Sequence, residues 1–276
     1  MKKFAVIIAI IALSAPAFAG ESGVTPRRIV SLAPSMTEIM FSLGLGDGIV
    51  GVTTYCDYPA EAKKKPKIGG MSNPSLEAIV AAKPDIVVMT MDGNPREVDD
   101  RVRGFGIRTY VWKARTIAEL PQGIRDLSAA LGIPQRGAQL AAEIEHELAT
   151  LKARRTRQTS RKKALFIIWP EPLLVAGPGT AIHESLDLLG LENTASDAKT
   201  TYPRYSIEEV IRRAPDVLFI GKASGMDMST VAKGILKRLS SVPAVKAGEV
   251  CYTGDGLYRL GPRVVEGIKE LATCVQ

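Results

Sequence analysis

The sequence predicts an α/β protein with two similar lobes joined by one long helix. Three observations carry this. Short β-like runs alternate with amphipathic helices, which is how α/β folds are written. One stretch, Gln135 to Thr159, has no proline and no glycine after Gly137, and its apolar Leu140, Ile144, Leu148 and Leu151 fall at helical spacing. A segment ahead of that stretch recurs behind it: Ser75 to Met89 aligns without gaps to Ser206 to Ile220, with Ser, Glu, Pro and Asp identical and most other positions exchanging one aliphatic for another. Two copies of one unit flanking a long helix make two lobes.

The elements follow in chain order. Lys2 and Lys3 head an unbroken apolar run, Phe4 to Leu13, followed by the small-x-small Ala17-Phe18-Ala19. Crossing a bilayer takes roughly 20 apolar residues, so residues 1–19 read as a signal peptide and not as a span. The product is expected to be exported and soluble, hence periplasmic in a cell with two membranes. The first lobe is expected over residues 20–133. Arg28 to Leu32 reads as a strand. Ser35 then caps a helix, with Glu38 three residues on completing a capping box, and Gly44 ends it. Ile49 to Thr53 is the next strand. Asn73-Pro74 opens a second helix, which stops at Lys83-Pro84-Asp85. Ile86 to Thr90 and Ile107 to Trp112 are strands. The linking helix is expected over 134–160 and the second lobe over 161–276, beginning with a strand at Ala164 to Trp169.

Composition bounds the function. Hydrophobic residues are 46% and charged residues 24% of the 276, an ordinary globular balance. The net charge is +7, but aromatics are only 5% and the basic runs are local, so no nucleic-acid groove is written here. Three cysteines in an oxidising compartment permit one bridge. If the last helix packs back along its sheet, Cys274 returns near the strand carrying Cys251. That makes Cys251–Cys274 the expected pair and leaves Cys56 free. Enzyme readings lack parts. The two histidines, His146 and His183, are far apart and His183-Glu184 does not continue as H-E-x-x-H; no G-x-S-x-G elbow occurs. Gly44, Gly46 and Gly48 follow a helix, the wrong context for a dinucleotide loop. No metal site is expected. An exported hydrolytic enzyme working through Asp255 or Glu171 stays open as a distant alternative.

The segments Arg28 to Glu38, Thr54-Tyr55-Cys56-Asp57-Tyr58-Pro59 and Ser75 to Asp85 resemble the periplasmic substrate-binding proteins of ATP-driven (ABC) importers. Within that class, which also carries haem and ferric siderophores, the resemblance is to the vitamin B12-binding branch. It implies a rigid linking helix, small opening motions and a ligand cleft between the lobes. It also implies a corrinoid (cobalamin) ligand, no resident cofactor, and the importer's permease subunits as partners of a monomer. Tyr55 matches a cleft tyrosine of the B12 proteins. Met71 stands where those relatives carry tryptophan. Asp92-Gly93-Asn94 should rim the cleft, and Trp169 suits packing on a flat ring. Tyr202 matches a second cleft aromatic, and Asp255 and Arg259 a polar cleft segment. Glu77 and Glu208 match the glutamates that dock on the permease. The rival ligands ask for other groups: haem needs an axial Tyr or His, for which Tyr55 or Tyr202 could serve, and acidic siderophores want arginines such as Arg259, Arg204 and Arg96.

Overall fold

The apolar runs form strands buried on both faces, as parallel sheets covered by helices require. A computed structural model describes residues 25–154, 161–222 and 228–275. Strands β1 (Ile29–Ser31), β2 (Ile49–Val52), β3 (Ile86–Thr90) and β4 (Arg108–Trp112) form a parallel sheet in the order β2-β1-β3-β4. Helices α1 (Pro34–Ser42), α2 (Leu76–Ala81) and α3 (Arg96–Gly104) connect them, and α4 (Leu120–Ala130) leads into the long α5 (Pro134–Arg154).

The second sheet is built from β5 (Lys163–Pro170), β6 (Leu173–Val175), β7 (Glu192–Asn193), β8 (Val217–Gly221) and β9 (Val250–Thr253). Its order is β6-β5-β8-β9, with β7 beside the start of β5, and only β6 runs antiparallel. Its helices are α6 (Ala181–Leu188), α7 (Ile207–Arg213), α8 (Met228–Arg238), α9 (Pro243–Ala247) and α10 (Val264–Cys274).

Alternation along each strand sorts the core. Ile86, Val88, Ala164, Phe166, Val217 and Phe219 join one cluster that runs through both sheets and includes Ala141, Ile144 and Leu151 of α5. Their neighbours point the other way: Val87 and Met89 pack into a separate cluster on the first sheet, and Leu165, Ile167, Leu218 and Ile220 into another on the second.

The repeated segment adopts the same local structure twice. Ser75 and Ser206 each cap a helix, accepting from the backbone N–H of Ala78 and Glu209 (both 3.1 Å). Lys83 and Ala214, each just before the Pro-Asp pair, both turn left-handed, with φ of 45° and 47°. Asp85 then clamps β1: its N–H donates to the Arg28 carbonyl (2.8 Å) and its carboxylate accepts from Arg28 N–H (2.9 Å). Asp216 repeats this on Lys163, at 2.8 Å for both bonds. The identical Ser and Asp of the repeat are therefore the helix cap and the strand clamp.

At ~1.5 Å per residue α5 is about 30 Å long, and it is tied along its length. Arg125 of α4 makes a two-pronged pair with Glu145 (both 2.7 Å), Arg136 donates to the Leu43 carbonyl (3.3 Å), and Lys269 of α10 pairs with Glu147 (2.8 Å). The helix ends at Arg154 among the described residues; positions 155–160 of the expected linker, like the signal segment 1–19, lie outside them.

Two local expectations are corrected. Helix α1 starts at Pro34, with Ala33 as an uncapped N-cap residue, so Ser35 and Glu38 form no capping box. Pro34 supplies the helical φ at the first position without needing a partner for an N–H, and Glu38 is drawn into an ion pair elsewhere. Helix α2 is opened by Ser75, not by Asn73-Pro74, because Ser75 supplies the accepting hydroxyl.

Candidate functional site

The carboxyl ends of parallel strands leave backbone and loops facing a crevice, the usual place for a ligand. Here the ends of β1, β3 and β4 surround a cavity of about 390 Å³. Pro34 and Ser35 line it from the β1–α1 junction, and Thr90, Asp92 and Gly93 from the end of β3. Trp112, Ala114 and Arg115 line it from the end of β4, and Tyr55 and Met71 from the long β2–α2 connection. The second lobe contributes Tyr258, Arg259 and Leu260, after β9. The cavity is thus shared between the lobes.

Each lining group has a local cause. Gly93 leaves room for Met71: a Cβ there would stand 2.4 Å from the Met71 methyl. Asn94 is buried beneath. Its amide donates to the carbonyls of Leu32 (3.0 Å) and Met71 (2.8 Å), and its oxygen accepts from Thr90 N–H (2.8 Å), so one side chain ties three cleft loops together. The sequence placed Asn94 on the rim; the structure makes it the pin below. Tyr55 is 62% exposed and offers its ring to the cleft.

The floor is an ion-pair cluster that crosses the lobe boundary. Arg259 Nη1 donates to Glu38 Oε1 (3.0 Å) and to Asp57 Oδ1 (2.7 Å), and Nη2 donates to the Tyr55 carbonyl (3.2 Å). Arg263 Nη1 lies 3.5 Å from the same Glu38 oxygen, and its Nη2 pairs with Asp255. The Arg263 guanidinium also sits 4.0 Å over the Tyr58 ring centre. Glu38 is 2% exposed, against 21% for the Arg259 side chain. That asymmetry sets the two titrations. Burial pushes the Glu38 carboxyl above its ordinary value, with Arg259 and Arg263 opposing but not prevailing. Burial also works against the Arg259 charge, but Asp57 and Glu38 outweigh it and raise its pKa. Burial likewise pushes Asp255 up, yet Arg263 and Arg259 hold it below the usual carboxylate range. The Tyr258 phenol is driven up by burial and by the charge of Asp255, and the Tyr202 phenol by burial and by Asp92.

A pH dependence follows. A carboxyl whose folded pKa lies above its unfolded value of about 4.5 favours the folded state more as pH falls through the folded value. Wild type should therefore gain stability relative to Glu38→Gln between neutral pH and 4.5. Urea unfolding of both proteins across that range checks this; a difference that shrinks as pH falls contradicts it.

Of the residues singled out in the sequence, Tyr55, Met71, Asp92 and Arg259 come together at the cavity. Tyr202 is 51% exposed and lies outside the lining, near enough to Asp92 to feel its charge. Asp255 stands behind Arg259, held by Arg263. Trp169 lies elsewhere: it pairs with Leu174 across the β5–β6 hairpin, donates to the Glu171 carbonyl (2.7 Å) and packs on the core of the second sheet. Glu38, Asp57, Arg263 and Tyr258 were not singled out. Arg263, four residues beyond Arg259, was the available signal. Cys251 and Cys274 are joined, with Cα atoms 6.2 Å apart, and Cys56 is buried as a free thiol between the hydroxyls of Thr37 and Thr53.

Against known proteins, the periplasmic binding protein family matches residues 29–257. The chain is similar to the vitamin B12-binding protein of Vibrio parahaemolyticus serotype O3:K6 (strain RIMD 2210633). The two are 30% identical over 246 residues, covering 89% of this chain and 88% of that one. Among solved structures it is similar to the periplasmic vitamin B12 binding protein BtuF of Vibrio cholerae, with a TM-score of 0.80, 27% identity, and 91% and 97% of the two chains covered. It is also similar to the periplasmic heme-binding protein RhuT from Roseiflexus sp. RS-1, with a TM-score of 0.79, 32% identity, and 90% and 97% covered. Two parallel sheets bridged by one long helix, a cavity shared across the lobe boundary and a match spanning both halves agree: the chain belongs to the periplasmic binding protein family.

Proposed function

We propose that this protein captures a corrinoid of the vitamin B12 type in the cleft between its lobes and hands it to the permease of an ATP-driven importer. It would work in the periplasm as a binder and not as an enzyme, and the corrinoid would be cargo, not a resident cofactor. The observation that carries this is the make-up of the shared cavity: Tyr55, Met71 and Tyr258 around Ser35, Thr90 and Asp92. A corrin offers a broad apolar face and a rim of amides. Aromatic and thioether groups cover the face, while hydroxyls accept from or donate to the amides and a carboxylate accepts from them. Similarity to vitamin B12-binding proteins over about nine-tenths of both chains supports the same ligand. Among the described residues no helix is long and apolar enough to cross a membrane.

Haem is the second reading, favoured by the 32% identity to a heme-binding protein. Of the two tyrosines that haem could use as an axial ligand, Tyr55 lines the cavity and Tyr202 does not. Arg96 and Arg204, wanted for an acidic siderophore, do not line the cavity. A desalting test separates the readings. Purified protein is mixed with cyanocobalamin or with haemin and passed through a sizing column. The corrinoid spectrum should stay with the protein; retention of haemin alone would overturn the assignment.

Glu77 and Glu208 are assigned to permease docking. Both are exposed in the first turn of a helix that opens at an equivalent serine, one per lobe, and Ser75 donates to Glu77 (3.1 Å). Backbone and Ser206 hydrogen bonds lower the Glu208 pKa and keep it charged. Two anions on a rigid frame fix orientation as well as attract. Glu77→Ala with Glu208→Ala should leave ligand binding and melting intact but lower transport into cells, more than either change alone. Normal transport by the double variant at limiting ligand, or lost ligand affinity, contradicts this.

A further inference from the structure

The cavity carries two cations, and neither is free in the same sense. Arg115 is exposed at the mouth, where solvent screens it. Arg259 lies within, but its Nη1 is shared by Glu38 (3.0 Å) and Asp57 (2.7 Å), and its Nη2 is taken by the Tyr55 carbonyl. Arg263 adds no spare charge, because it is divided between Asp255 and Glu38. Three carboxylates thus face two guanidiniums, and Glu38 Oε2 is buried with no hydrogen-bond partner at all. Negative charges thus outnumber positive ones in this cluster, and Arg263 Nε is likewise buried without a partner. A ligand carboxylate reaching Arg259 would have to displace Asp57 or Glu38, or lie beside an unsatisfied oxygen of like charge. An amide meets no such opposition, because it carries no charge.

We propose that Glu38 and Asp57 are specificity-determining residues: by holding Arg259 in ion pairs across the lobe boundary they withhold a free cation from the cleft, and so select a neutral, amide-rimmed ligand over a carboxylate-bearing one. This rests in part on the corrinoid reading, which supplies the neutral ligand. Charge preference is a separate property, however, and is tested separately. Two probe pairs keep the scaffold fixed and change only the charge: cyanocobalamin against its amide-hydrolysed carboxylate form, and haemin dimethyl ester against haemin. The ratio of affinities within a pair is read by absorbance titration at neutral pH, on whichever scaffold the wild type retains.

Wild type should bind the anionic member no better than the neutral one. Asp57→Asn should shift the ratio towards the anion, and Asp57→Asn with Glu38→Gln should shift it at least tenfold. Adding Arg259→Gln should return the ratio to its starting value, which a merely structural role for the carboxylates would not do. Asp57 is partly exposed, so Asp57→Asn keeps the test available if the buried change at Glu38 impairs folding. An unchanged ratio in the variants, a gain that survives loss of Arg259, or a wild type that already prefers the anion tenfold overturns the proposal. Retention of the porphyrin pair but not the corrinoid pair overturns the corrinoid reading alone. Binding of neither pair by any form overturns both.

Discussion

Arg259→Ala should lower stability by about 3 kcal/mol, because it strands a carboxylate that is 2% exposed. Arg259 is the closer of the two cations on Glu38, at 3.0 Å against 3.5 Å for Arg263. Asp57, on the loop that carries Tyr55, loses its only ion-pair partner among the described residues. The change also removes the hydrogen bond from a second-lobe side chain to the Tyr55 backbone. The effect should be partly reversed by also removing the stranded charge: Arg259→Ala with Glu38→Gln should be more stable than Arg259→Ala alone, since losing both members of a buried pair costs less than losing one. Urea unfolding at neutral pH of the wild type, both single variants and the double variant gives the coupling energy directly. Additive losses would mean that Glu38 does not depend on Arg259.

Gly137→Ala should cost about 1–3 kcal/mol, the usual price of overpacking, although alanine is the better helix former. The reason is the approach of α4 to α5. A Cβ on residue 137 would stand 1.7 Å from Ser128 Oγ, 2.3 Å from Ser128 Cβ and 3.1 Å from the Ile124 carbonyl. Two helices meet there with only the Ser128 side chain between their backbones, so α5 must move or Ser128 must. Ser128→Gly placed beside Gly137→Ala should recover most of the loss, and the two single variants should be strongly non-additive. Thermal melts of the four proteins suffice; a stabilising Gly137→Ala would show that the helices are not locked together at this point.

The features legible in the sequence were those fixed by neighbours in the chain. The repeat could be read because its serines cap their own helices at Ser75 and Ser206, and its aspartates make the same clamp on an earlier strand at Asp85 and Asp216. The long helix could be read because its apolar spacing is continuous. Glu38 was misread because Ser-x-x-Glu is the pattern of a local cap, while its true partner lies 221 residues away. Gly137 was read only as the last glycine of the helical stretch, since no single-chain pattern says where another helix will press. Trp169 ends a strand of the second lobe, where its indole N–H is satisfied by Glu171 two residues on and its partly buried ring packs against the core of the second sheet. Tyr55 needed no long-range partner to be placed: it stands in an exposed loop whose sequence resembles a cleft segment, and the cavity includes it.

Tyr55 is also where ligand capture in the interlobe cleft is most directly measured. Calorimetric titration of cyanocobalamin into wild type and Tyr55→Ala should give one site per chain and a loss of about 1–3 kcal/mol on substitution, about thirtyfold weaker binding at the centre of that range. The melting temperature should hold, because the ring is 62% exposed. Unchanged corrinoid affinity in a folded Tyr55→Ala protein would contradict capture in this cleft.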